Sequence, residues 1–173
     1  MEQNLIWVDL NDNEIGYGKK LDTHKKNILH RAFSVFLYSK GNILIQQREK
    51  HKYHSGELWA NSCCSHPRQG EEVIEAAHRR MEEELGIKEG TCDLQEIDSF
   101  IYFQSYGSLS EYEFDHVIVG EYEGEIIPNP EELQDYCWIS YEDLAKELME
   151  QPEKFSAWFL IAAPKVLRWL QQK

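Results

Sequence analysis

The stretch Asn61–Gly86, NSCCSHPRQGEEVIEAAHRRMEEELG, constrains the fold of this chain more than any other. Val73, Ile74, Ala77, Met81 and Leu85 recur at spacings of three and four, which gives one apolar stripe on a helix. The spacing predicts a helix over 71–85. Glu71 and Glu72 fall in its first turn, where the helix dipole favours acid, and Gly86 is a natural stop. The other face carries Glu71, Glu75, Arg79 and Glu83 at steps of four, and Arg80 faces Glu84 one turn on. On an ordinary helix these are solvated ion pairs contributing about 0.3 kcal/mol each.

Most of the remaining chain reads as strands. Residues 5–10, 31–38, 42–47, 97–104, 112–122 and 135–139 are rich in β-branched and aromatic side chains. Lys40–Gly41 predicts a tight hairpin, Asn11–Asn13 a turn, and SYGSLS a turn between the two aromatic strands. Residues 17–30 and 48–58 read as loops. Ser140 with Asp143 predicts a cap for a helix over 141–149, and Phe155–Leu170 a second amphipathic helix bent near Pro164. Strands mixed with three helices indicate an α/β or α+β fold, a mixed sheet between helices, in a single domain over 1–173.

With 31 acidic against 18 basic residues and a net charge of −13, no large basic face exists, which argues against nucleic-acid binding. A phosphorylated small molecule remains compatible, because a few local cations and a divalent metal suffice to hold it. No apolar run is long enough for a membrane span. The N-terminus lacks the pattern of a secretory signal, so a cytoplasmic setting is expected, with Cys63, Cys64, Cys92 and Cys137 as free thiols.

Several residues are of types that carry chemistry. Cys64 and His66 alternate, so both point one way if the backbone is extended. Cys64 is open to reading as a small buried thiol, and His66 as a loop residue before Pro67. A zinc site from Cys63, Cys64 and His66 fits structural zinc spacing poorly. Glu111 and Glu113 also alternate, and two carboxylates on one strand face repel unless a cation or proton lies between them. On an edge strand they would simply face solvent. With His24, His30 and His66 available, a mixed His/Glu site for Mg²⁺, Mn²⁺ or Zn²⁺ is a second reading.

The helix resembles the Nudix box. Glu71, Arg79, Met81, Glu83, Glu84, Gly86 and Ile87 match that pattern, whereas Ser65 replaces its first glycine and Arg80 replaces a glutamate. HRAFSVFL at 30–37, NSCCSHP at 61–67, the altered box and the EYE triplet at 111–113 together resemble type 1 isopentenyl-diphosphate delta-isomerase, a Nudix-superfamily enzyme.

This resemblance implies a Nudix fold and a set of roles. It places a metal site on His24, His30, His66, Glu111 and Glu113. Cys64 and Glu113 become the catalytic pair, with Tyr102 supporting Glu113. Glu84, with the Cys64 region, is associated with a second Mg²⁺ on the substrate diphosphate. Lys20, Arg48, Lys52 and Arg80 surround that diphosphate, and Trp158 lies over the hydrocarbon end. His24 is the ligand on which the shorter loop before His30 bears most. The implied substrate is a small isoprenoid diphosphate, and the implied oligomeric state is monomer or homodimer. A Nudix hydrolase of a nucleoside or other diphosphate is the competing reading. It would be expected to keep the full box and to lack both the cysteine and the E-x-E pair. A non-catalytic, zinc-stabilised binding module would leave the carboxylates, Tyr102 and the cations without a role.

Overall fold

The chain opens with a hairpin, β1 (Asn4–Val8) and β2 (Glu14–Lys19), and passes directly into a short helix, α1 (Lys20–Lys25). The architecture is that of a computed structural model describing residues 3–52 and 54–173. The predicted turn between β1 and β2 is present, with Asp9 Oδ1 accepting from the backbone N–H of Asn11 at 2.8 Å and Asn13 at 3.0 Å. The loop expected over 17–30 is instead the end of β2 followed by α1. Both are short, and α1 buries only Thr23 and His24, too little to leave an apolar stripe in the sequence.

β3 (His30–Ser39) is the central strand, and every residue in it except Arg31 is buried. That continuous burial follows from its position. It pairs in parallel with β8 (Leu109–Glu121) along one edge and antiparallel with β4 (Asn42–Arg48) and β6 (Cys63–Ser65) along the other. β4 also pairs with β5 (Trp59–Ala60) and β9 (Leu133–Ser140), and β8 with β7 (Leu94–Tyr106). The β3–β4 hairpin turns on Lys40 and Gly41, both at positive φ (48° and 79°), as a two-residue primed turn requires. The predicted six-residue turn between β7 and β8 is tighter, because Ser105 and Tyr106 still pair with Ser110 and Leu109.

Helices cover both faces of this mixed sheet, as the sequence predicts. α2 (Val73–Leu85) packs Ala76, Ala77, Met81 and Leu85 against Phe33, Val35 and Leu37 of β3. α3 (Tyr141–Glu150) and α4 (Ala157–Gln171) lie against Phe36, Ile43, Ile45, Val117 and Val119. Among the described residues four α-helices are present rather than three. Ser140 Oγ accepts from Asp143 N at 3.1 Å, so the α3 cap is where the sequence puts it. α4 starts at Ala157 rather than Phe155 and continues through Pro164. α2 starts two residues later than predicted. Glu71 lies before the helix, and the Glu75 carboxylate caps the N–H of Glu72. Gly86, at φ 68°, ends α2 in the left-handed conformation. A Cβ there would come within 2.8 Å of Ile127, so both backbone and space call for glycine.

Candidate active site

A cavity of about 350 Å³ opens between β6, β8, the C-terminal half of α2 and the loop over 48–58. β6 and β8 run along opposite edges of β3, so side chains from the two strands enter the cavity from different sides. Cys64, Ser65 and His66 come from β6 and its end, and Glu111, Glu113 and Asp115 from β8. Because β6 is extended, Cys63 points the other way, into the fully buried core under α2.

His24, His30 and His66 converge beside Glu113, with their ligand nitrogens all within 4.8 Å of one another. His24 Nδ1 donates to the Ser110 carbonyl at 2.7 Å, and His30 Nδ1 donates to the Ile28 carbonyl at 2.8 Å. A carbonyl only accepts, so each ring carries its proton on Nδ1 and turns Nε2 toward the cluster. His30 Nε2 and His66 Nε2 lie 3.9 Å and 3.5 Å from Glu113 Oε1, and both are buried without a hydrogen-bond partner. Burial holds all three rings neutral: His24 is lowered, His30 is lowered to about 4, and His66 lies well below the ordinary value. The neutral imidazoles of His30 and His66, with orphaned lone pairs beside a buried carboxylate, form with His24 a donor set that fits a divalent cation.

Glu111 and Glu113 share a hydrogen bond and ionise unequally. Burial raises Glu113 well above the carboxylate range, and the neighbouring Glu111 charge raises it further. Burial also pushes Glu111 upward, but hydrogen bonds from His54, Glu113 and Tyr102 outweigh it and hold Glu111 ionised. The Tyr102 hydroxyl donates to Glu111 Oε2. The family resemblance implies that Tyr102 supports Glu113. The two are cross-strand partners in register, yet the hydroxyl at the end of the long ring reaches past Glu113 to Glu111. The Cys64 thiol is held up to about 12 by burial, with the Arg48 charge opposing. Asp115 accepts from Ser34 Oγ at 2.9 Å, and burial pushes its carboxyl up to about 8.

The other end of the cavity is cationic. Arg80 Nη2 lies 2.7 Å from Glu84 Oε1 and 3.3 Å from Glu132 Oε2, and Lys52 Nζ is 2.5 Å from the same Glu132 oxygen. The Nε atoms of Arg48 and Arg80 are buried with no partner, so each has a donor left for an anion. Lys20 also lines the cavity, and burial lowers its pKa. The Arg48 guanidinium sits 5.0 Å over the Trp158 ring, whose Nε1 donates to Asn61 Oδ1 at 3.0 Å.

Residues 28–159 match the NUDIX domain family. The isopentenyl-diphosphate Delta-isomerase of Serratia proteamaculans is 44% identical over 176 residues, covering 98% of this chain and 97% of that protein. Isopentenyl-diphosphate Delta-isomerase 2 of Photorhabdus laumondii is 45% identical over 161 residues, covering 92% and 89%. This chain belongs to the isopentenyl-diphosphate Delta-isomerase family, within the NUDIX domain proteins. A crystal structure from Deinococcus radiodurans matches with a TM-score of 0.78 at 21% identity, covering 94% of this chain and 98% of that one, a likeness of fold.

In this isopentenyl-diphosphate Delta-isomerase family member, one cavity gathers the residues singled out in the sequence. Cys64, His66, Glu84, Tyr102, Glu111, Glu113, Lys20, Arg48, Lys52, Arg80 and Trp158 line it, and His24 and His30 stand directly behind Glu113. The short α1 carries His24 to the cluster despite the shortened loop. The lining also includes residues outside that set, among them Gln46, His54, Asp115 and Glu132. Asp115 carries a readable signal, since it continues the i, i+2 alternation of Glu111 and Glu113. His54 and Glu132 sit in loops, where no periodicity marks them.

Proposed function

We propose that this protein interconverts isopentenyl diphosphate and dimethylallyl diphosphate, as the names of its family relatives indicate. The observation that carries the reading onto these residues is Cys64 and Glu113 entering one cavity from strands on opposite edges of β3, with unsatisfied cationic donors at one end.

Moving the double bond requires a proton added at C4 and another removed from C2. Protonating an unactivated alkene gives a tertiary carbocation, so the donor must keep its proton until substrate arrives and water must be excluded. Glu113 fits the first condition, because burial and the Glu111 charge favour its protonated form. Tyr102 and His54 hold Glu111 in one orientation beside it. On the other side Cys64 takes the C2 proton through its sulfur as thiolate, a form that burial disfavours in the free protein and that the Arg48 charge favours. Trp158 stabilises the cation with its π face, by about 2 kcal/mol when desolvated, once the diphosphate draws Arg48 off the ring. Arg48, Arg80, Lys52 and Lys20 bind the diphosphate, and Glu84 would hold a Mg²⁺ on it. His24, His30, His66, Glu111 and Glu113 would hold a second divalent ion, Mn²⁺, Mg²⁺ or Zn²⁺, whose charge would orient Glu113 and tune its acidity.

Among the described residues no helix is long and apolar enough to cross a membrane. The reading is of a cytoplasmic enzyme, as monomer or homodimer, acting on a small diphosphate. Incubating the protein with isopentenyl diphosphate and Mg²⁺ tests it. Dimethylallyl diphosphate is the expected product, and phosphate release without it would favour a hydrolase. Arg80 in place of a Nudix-box glutamate weighs against that second outcome.

A further inference from the structure

The loop over 48–58 closes at its base through Arg48 N to Leu58 O (2.9 Å) and Glu57 N to Arg48 O (3.0 Å), and turns one histidine inward. His54 is 8% exposed. Its ring stacks on Tyr106 with centroids 4.4 Å apart and planes 17° apart, and meets Trp158 edge-on at 6.1 Å. Its Nδ1 lies 3.2 Å from Ser55 Oγ, and its Nε2 bonds Glu111 Oε1. The other oxygen of Glu111 is taken by Tyr102. Each oxygen of this buried carboxylate therefore has a donor from a different element, one from β7 and one from the loop. Two donors at fixed angles leave a carboxylate one orientation, and groups that orient a metal ligand in this way set metal affinity strongly.

We propose that His54 is a positioning residue for the metal centre, holding the Glu111 carboxylate in the orientation in which it joins His24, His30, His66 and Glu113 around a divalent cation. The proposal rests on the His/Glu cluster being a metal site. His54 acts through Glu111 by donating a hydrogen bond to it, while the stack on Tyr106 and the edge contact with Trp158 fix the ring.

The test uses the full chain stripped of metal with chelator and titrated with Mn²⁺, read by the signal of free Mn²⁺ in electron paramagnetic resonance. His54→Phe keeps a stacking ring without the donor, and His54→Gln keeps an N–H donor without the ring. His54→Ala and His54→Phe are expected to weaken Mn²⁺ binding by about 10- to 100-fold, with His54→Gln recovering most of it. Thermal melts of the metal-free chains check that each variant folds. A His54→Phe protein that binds Mn²⁺ like the wild type would overturn the proposal, since the ring would then only fill space. A His54→Gln protein as weak as His54→Ala would overturn it too, and so would a wild-type chain that binds no Mn²⁺. Failure of the isomerase reading shows separately, as a wild type that binds Mn²⁺ but forms no dimethylallyl diphosphate.

Discussion

Arg80 and Glu84, one turn apart on α2, are joined by a 2.7 Å bond from Nη2 to Oε1. The same guanidinium lies 2.5 Å from Glu83 and 3.3 Å from Glu132, so one cation serves three carboxylates. Arg80→Ala leaves Glu84 and Glu132 at the diphosphate end without it. We expect KM for the diphosphate substrate to rise at least about tenfold, or about 1.4 kcal/mol, and stability in urea to fall by about 3 kcal/mol, as when one partner of a buried pair is removed. An unchanged KM would reduce Arg80 to a structural role.

Cys64 stands alone among the four cysteines in lining the cavity. Removing a positioned acid or base costs about 10²- to 10⁴-fold. Cys64→Ala should therefore lower kcat by that range with a smaller change in KM, because Arg48, Arg80, Lys52 and Lys20 all remain to bind the diphosphate. The measurement is the rate of dimethylallyl diphosphate formation. Normal turnover would take Cys64 out of the proton transfer.

The orphaned Nε2 atoms of His30 and His66 gain partners only when an ion is bound. Chelation should abolish activity and lower the melting temperature. At about 100 times its dissociation constant, Mn²⁺ should restore about 2.7 kcal/mol of stability, a rise of roughly 5–10 °C for a chain of this size. His66→Ala should remove most of that rise. Equal melting curves with and without Mn²⁺ would contradict a metal role for the cluster.

Where the sequence was legible, a repeating constraint had left a pattern. Apolar spacing disclosed α2, the Lys40–Gly41 pair between two strand-like runs disclosed the β3–β4 turn, and alternation disclosed Glu111 and Glu113 on one strand face. Where it was not, the decisive contact joins distant segments. α1 escaped because six residues with two buried side chains make no stripe. The partner of Tyr102 could not be read, since two carboxylates two residues apart both lie within reach of a neighbouring strand. Glu132 acquires its place from Lys52, 80 residues away, and from Arg80 on α2.

Arg79 ties the approach to α2 back onto the helix. Its Nε and Nη2 each lie 2.8 Å from one oxygen of Glu71, and Nη2 also reaches the His66 carbonyl at 3.4 Å. Partial burial pushes the Glu71 carboxyl upward, but the Arg79 hydrogen bonds, the Arg68 N–H and the Arg79 charge outweigh it, so its pKa lies below the ordinary 4.5. The unfolded chain then takes up this proton at a higher pH than the folded chain. The pair's contribution is complete above about pH 5 and is lost as pH falls through the folded value. Glu71→Gln should be less stable than the wild type by about 1 kcal/mol near neutral pH, since the pair is partly exposed. The gap should narrow as urea unfolding is repeated toward roughly pH 4. A gap that stays constant with pH would mean that Glu71 acts through shape and neutral hydrogen bonding, and that its charge does not fasten the His66 segment to α2.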